Sequence, residues 1–218
     1  MNNIIYNLDE NGSQWEITYV NKNDKFPILQ IDNWYSEKEM NNIYLELDYY
    51  MAMGKENMVK TEKDNSTAVE NDIPLSTGYR LKPHRNDFYS CINRCLMKQS
   101  SKKFNKYVEE SMPQGNSFKH TNFNSSFISY YEDGDYYKSH TDIALFSCLI
   151  WVYKEPKNFT GGDITFSQCN TTIQCKNNRM IFFPSYYLHE VSEINLIDKN
   201  KSNSGRFCIT HFFYINGL

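Results

Sequence analysis

Apolar positions recur along the first half of the chain at two different spacings. In KFPILQIDNW (25–34) they crowd into a short run that reads as a strand entering a turn. Met40, Ile43, Leu47 and Met51 then fall three or four positions apart, the period of a single helix face. The SEKE ahead of them offers Ser36 as N-cap and Glu39 as the third residue of a capping box, and Gly54 supplies a stop. An amphipathic helix of about four turns is predicted there. Residues 55–80 lose periodicity and are mostly polar, so they read as a mobile insertion or as a lid over a site. A second helical pattern runs from Asp87 to Glu110 through Phe88, Ile92, Cys95, Leu96, Phe104, Tyr107 and Val108, with KQSSKK as its candidate break. From Ser117 the texture changes to short β-rich runs: FISYY (127–131), ALFSCLIWVY (144–153), DITFS (163–167), RMIFFP (179–184) and RFCITHFFYI (206–215). Turns rich in Gly, Asn, Pro and Lys separate them, the pattern of an all-β barrel or a double-sheet jelly roll.

Length adds that 218 residues and 25.8 kDa suit one domain, 1–218, with a helix-rich N-terminal support (1–116) and a β core (117–218). A net charge of -3 without a basic stripe argues against a nucleic-acid partner. No basic leader or long apolar window occurs, so no membrane association is expected and the compartment expected is the cytoplasm. Six scattered cysteines without a CxxC read as thiols, with Cys91 and Cys95 on one face of a helix. No long heptad run suggests a coiled coil, and the oligomeric state stays open.

Candidate chemistry gathers in YYKSHTDIA (136–144), where His140 and Asp142 flank one threonine. In an extended strand these two would share a face and Thr141 would point away. Composition alone produces one such HxD with a chance of roughly one in four, so the triplet needs company. His189, at the end of the apolar run MIFFPSYYLHEV, completes two imidazoles and one carboxylate. That donor set suits a non-haem Fe(II) with open positions, or a tetrahedral zinc with one open water. Arg206 bears on the choice: it follows His189 by seventeen residues and opens an apolar run, where a lone charge wants a partner. A guanidinium there matches one carboxylate of a dicarboxylate co-substrate.

With these residues in place the chain resembles the Fe(II)/2-oxoglutarate-dependent dioxygenases, and within them the prolyl 4-hydroxylase-like branch. The motifs are YYEDGDYYKSHTD (130–142), EPKNFTGGDITF (155–166), FFPSYYLHEV (182–191) and GRFCIT (205–210), in the family's order. The N-terminal half matches only through FPILQIDNWYSEKEM. The resemblance implies an α+β fold with a mainly β core, a double-stranded β-helix (jelly roll) with N-terminal helices packed against one sheet. It implies His140, Asp142 and His189 as iron ligands and Arg206 as the grip on the distal carboxylate of 2-oxoglutarate. Tyr131, Tyr137 and Thr210 match residues lining the co-substrate pocket, and no catalytic side chain is implied beyond these ligands. Gly161, Gly162 and Asp163 match a turn whose role is backbone geometry. Cys208 and Val152 depart from the pattern; Val152 stands where some relatives carry a co-substrate-binding tyrosine.

The activity so implied is hydroxylation of a peptidyl residue such as proline, coupled to oxidative decarboxylation of 2-oxoglutarate to succinate and CO2. Fe(II), 2-oxoglutarate and O2 are the cofactors and co-substrates, with ascorbate as a candidate reductant and a peptide or protein as partner. Two alternatives are the same chemistry on a free amino acid or other small molecule, and a cupin-like metal-binding module without activity. A nucleic-acid dealkylase is disfavoured, because RFCITHF has Phe212 where a second arginine would be needed.

Overall fold

The computed structural model describes residues 4–8, 12–64, 67–81 and 90–215. Strands β1 (Ile4–Leu8), β2 (Gln14–Val20) and β3 (Ile28–Asp32) precede helix α1 (Glu37–Ala52). The short strands β4 (Val59–Lys60), β5 (Val69–Glu70), β6 (Ile73–Pro74) and β7 (Tyr79–Leu81) follow. Next come α2 (Cys91–Cys95), a 3-10 stretch (Leu96–Ser100) and α3 (Lys102–Ser111). The remaining strands are β8 (Phe123–Tyr131), β9 (Tyr137–His140), β10 (Phe146–Val152), β11 (Phe159–Thr160), β12 (Ile164–Phe166), β13 (Thr171–Ile173), β14 (Arg179–Pro184), β15 (His189–Val191), β16 (Asn195–Leu196) and β17 (Arg206–Tyr214).

The strands make a double-sheet jelly roll. A nine-stranded sheet, ordered β1-β2-β3-β14-β10-β17-β8-β7-β4, lies opposite a four-stranded sheet, ordered β13-β12-β15-β9. Alternation along the central strands sorts their side chains into two cores. Ile150, Val152, Met180, Phe182 and Ile209 face a helical layer built on Ile43, Leu47, Phe104 and Val108. Leu149, Trp151, Ile181, Phe183 and Cys208 fill the space between the sheets with Ile164, Phe166 and Val191. The molecule is therefore helices, large sheet and small sheet, with helices against one sheet as expected.

Local signals account for much of this. Helix α1 begins at the expected box: the Ser36 side chain accepts from the Glu39 N–H, and the Glu39 carboxylate accepts from the Ser36 N–H. It buries Met40, Ile43, Leu47 and Met51. The second helix is interrupted where KQSSKK stands: Leu96–Ser100 tightens to 3-10 geometry, and Ser101 caps a fresh helix by accepting from the Phe104 N–H. Asp87 and Phe88, placed at its start by the sequence pattern, lie outside the described residues.

Two expectations need correction. The segment 1–116 is not a helical support alone, since it supplies five of the nine strands of the large sheet, β1, β2, β3, β7 and β4. Of these, β3 is the strand marked by the apolar run in KFPILQIDNW and β2 alternates buried with more exposed positions, whereas β4 and β7, of two and three residues, are too short to show a period. Residues 55–80 are not uniformly irregular either. The backbone of 75–77 runs beside β9, with Lys138 N–H donating to Leu75 O at 2.8 Å and Thr77 N–H to Tyr136 O at 3.0 Å.

Candidate metal and co-substrate site

The small sheet positions the two histidines. His140 ends β9, His189 opens β15, and they are direct partners across the antiparallel ladder. Side chains at such paired positions share a face, which sets the imidazoles side by side with ring centroids 4.3 Å apart. Asp142 is not part of the strand. β9 stops at His140, yet the pairing expected of the HxD holds: Asp142 Oδ1 lies beside His140 Nε2 while Thr141 is exposed. The Asp142 N–H donates to Ser185 O at 3.0 Å, which ties this segment to the end of β14.

The three side chains converge. Their donor atoms lie within 4.8 Å of one another, with His140 Nε2 3.6 Å from Asp142 Oδ1 and His189 Nε2 3.6 Å from Asp142 Oδ2. His140 Nδ1 lies 2.8 Å from Lys138 O, and His189 Nδ1 lies 2.8 Å from Tyr187 O. A carbonyl oxygen only accepts, so each Nδ1 carries a proton and each ring turns its Nε2 toward the carboxylate. Burial pulls His189 down to about 4, which keeps it neutral near pH 7. Burial opposes ionisation of Asp142, yet His140, His189 and the Ser147 hydroxyl together hold its carboxyl below the ordinary range. Two imidazole nitrogens and one carboxylate thus converge in a buried pocket, the donor types and spacing that fit a metal ion.

A cavity of about 40 Å³ adjoins the triad and is bordered by Arg80, Tyr131, Tyr137, Cys208 and Thr210. Tyr137 stacks on His140 with centroids 3.6 Å apart at 10°, and its hydroxyl accepts the Ala68 N–H at 3.1 Å. Thr210 and Cys208 alternate with Arg206 along β17, so all three face the inter-sheet space. Arg206 is 1% exposed. It donates to Gly162 O at 2.9 Å and lies 4.5 Å from the centroid of the Tyr131 ring. Its Nε has no hydrogen-bond partner, and among the described residues no carboxylate pairs with it. An unneutralised buried guanidinium is costly, so this residue fits an anionic group that enters the pocket.

The structure thus brings together His140, Asp142 and His189 at the centre with Tyr131, Tyr137 and Thr210 on the cavity wall, and sets Arg206 against the Tyr131 ring outside that lining. Gly162 does more than turn the chain, because its carbonyl orients Arg206. Val152 does not face this pocket at all. It points into the helical layer, one step out of phase with Trp151 and Tyr153, so it stands in no co-substrate position. Three residues escaped the sequence reading. Arg80 sits on a three-residue strand too short to show a period, and Ser147 and Ser185 are hidden in or beside apolar runs.

Residues 126–214 match the family model of the 2OG-Fe(II) oxygenase superfamily. No curated protein sequence matches the chain. Among solved structures, the fold is similar to a Pseudomonas putida prolyl-4-hydroxylase, with a TM-score of 0.61 and 13% identity over 88% of this chain and 95% of that one. It is also similar to a Trichoplax adhaerens prolyl hydroxylase in complex with a hypoxia inducible factor peptide fragment, with a TM-score of 0.58 and 11% identity over 86% and 83%. At such identities these likenesses concern the fold.

Proposed function

We propose that the protein is an Fe(II)- and 2-oxoglutarate-dependent hydroxylase of a polypeptide side chain, with proline the first candidate, a reading supported by the match of residues 126–214 to the family model of the 2OG-Fe(II) oxygenase superfamily. The observation that carries the co-substrate part is Arg206, a buried guanidinium without a carboxylate partner among the described residues, one ring away from a wall of the cavity beside the His-Asp-His cluster. The peptide part is supported by the prolyl hydroxylases of the same fold, one of them holding a peptide.

On this reading His140, Asp142 and His189 hold Fe(II) through Nε2 and carboxylate oxygens, leaving other positions for co-substrate and dioxygen. When bound, the metal and 2-oxoglutarate supply the oxidising chemistry that hydroxylates an unactivated C–H bond while 2-oxoglutarate becomes succinate and CO2. The chain's own task is binding, orientation and exclusion of water. Arg206 takes the distal carboxylate, held in direction by Gly162 O and the face of Tyr131. Thr210 adds a hydroxyl to the same wall. Tyr137 keeps the ring of His140 from rotating and covers it from solvent. Ascorbate as reductant and a reducing, cytoplasmic setting belong to the same proposal; the six cysteines are all free thiols.

The test has two stages. Protein supplied with Fe(II), ascorbate and 2-oxoglutarate should release succinate without added substrate, and none with bound metal would overturn the oxygenase reading. A panel of proline-containing peptides should then yield a product heavier by about 16 Da, one oxygen atom. Release of succinate with no modified peptide, but with oxidation of a free amino acid, would move the substrate to a small molecule.

A further inference from the structure

The two histidines are held by the ladder of the small sheet, but Asp142, beyond the strand end, is not. Its carboxylate must be oriented by something else. Ser147 Oγ donates to Asp142 Oδ2 at 2.6 Å, and Ser147 Oγ lies 2.8 Å from Ser185 Oγ. Both serines are 0% exposed. Ser147 is the only hydroxyl in FSCLIWV, a strand otherwise of apolar residues and a thiol, where burying an unpaired hydroxyl is costly. Ser185 follows β14 directly and also offers the carbonyl that anchors the Asp142 N–H.

Proton counting fixes the direction of this chain. An ionised carboxylate only accepts, so the single Ser147 hydrogen goes to Asp142. Ser147 can then meet Ser185 only as acceptor, and the relay runs Ser185 to Ser147 to Asp142, each bond polarising the next. Oδ2 is therefore engaged by a charge-assisted donor at 2.6 Å, while Oδ1 faces His140 Nε2 at the longer distance of 3.6 Å.

We propose that Ser147, backed by Ser185, is a positioning residue that holds the Asp142 carboxylate with Oδ2 tied back and Oδ1 presented as the ligand oxygen. This rests on the metal-site reading above. Its function is to make an off-strand carboxylate as fixed as the two in-strand imidazoles, so that the site is formed before the metal arrives.

The experiment uses metal-free full-length protein titrated with Co(II), following affinity and the visible d–d spectrum, beside the Tm of the metal-free form. Ser147→Ala should weaken Co(II) binding roughly 10- to 100-fold and change the spectrum, as the freed Oδ2 competes for the ion. Ser185→Ala, which leaves the Ser147 donor in place, should shift affinity in the same direction by a smaller factor, and it remains informative if Ser147→Ala does not fold. Asp142→Ala separates the two ideas: wild-type Co(II) affinity in that variant would overturn the metal site itself. If Asp142→Ala loses binding, the positioning role is overturned by serine variants that keep wild-type affinity and spectrum, whatever happens to the Tm. A lowered Tm with unchanged binding would make the serines structural only.

Discussion

Single side chains in this protein are placed by opposite rules in its two sheets, and their expected effects differ accordingly. Arg206 belongs to the large sheet, where it touches Gly162 and Tyr131 and no member of the His-Asp-His cluster, so on the proposed reading Arg206→Ala would remove a charge-assisted contact to the co-substrate and leave the cluster in place. A loss of about 1.5–3 kcal/mol corresponds to a roughly 10- to 100-fold higher requirement for 2-oxoglutarate. Succinate release as a function of 2-oxoglutarate concentration measures it, and a change confined to iron affinity would contradict the role. Asp142→Ala should instead abolish iron binding and turnover. The fold should survive, because Asp142 lies beyond the end of β9, and its side-chain partners are the two imidazoles and Ser147 instead of either apolar core. Circular dichroism beside a metal titration distinguishes loss of metal from loss of fold.

At the scale of elements, the turn before β12 shows how a loop can set a side chain. Gly161 and Gly162 have φ of +75° and +77°, a region that side-chain-bearing residues rarely enter. A Cβ on Gly162 would fall 2.6 Å from Ile194 Cδ1 and 3.3 Å from Arg206 Cδ. Gly162→Ala is therefore expected to push Arg206 off its carbonyl and raise the 2-oxoglutarate requirement with iron affinity unchanged, a phenotype like that of Arg206→Ala but milder. Iron-binding and succinate assays run side by side check this. The same turn illustrates what was legible in the chain. Helix α1, its box at Ser36 and Glu39, and the strand 179–184 were marked by strong local patterns. So was the cluster of His140, Asp142 and His189, because ordered motifs carried its three members. What stayed hidden depends on pairing between distant segments: the facing of His140 and His189 across β9 and β15, the Gly162 grip on Arg206, and the Ser147 contact with Asp142. Val152 was misplaced for a related reason, since one residue of phase in β10 decides between the helical layer and the pocket.

Across the whole molecule the question is how the N-terminal strands and helices are joined to the core that carries the site. The joint is β3 against β14, where Arg179 pairs with Asp32 in register. Asp32 accepts from Arg179 Nε at 2.5 Å and Nη2 at 2.8 Å, and from Lys176 Nζ at 2.7 Å. Burial opposes ionisation of Asp32, but the Arg179 and Lys176 contacts outweigh it and hold the carboxyl below its usual value. A depressed folded-state value means stability that is present above the unfolded pKa of about 3.9 and lost as pH falls through the lower folded value. The urea midpoint of the wild type should thus drop as pH falls from about 5 through the depressed folded value, and Asp32→Asn should lack that part of the drop while starting from a lower midpoint.

The same joint decides whether residues 117–218 can stand alone. Removing 1–116 takes away β3 and the helical layer and uncovers Ile150, Val152, Met180, Phe182, Ile209 and Phe213, all of them buried in the intact chain. Burying a side chain of this size contributes about 1.5–3 kcal/mol, so the six together forfeit roughly 10–20 kcal/mol. A domain's entire net stability is only about 5–15 kcal/mol. The fragment 117–218 is therefore expected not to fold, and the full chain to unfold in one transition. Coincident urea curves from tryptophan fluorescence and from far-ultraviolet circular dichroism would bear this out, because Trp15 and Trp34 report the N-terminal side and Trp151 the core. A soluble, Co(II)-binding fragment 117–218 would show instead that the jelly roll holds the site without its helical layer.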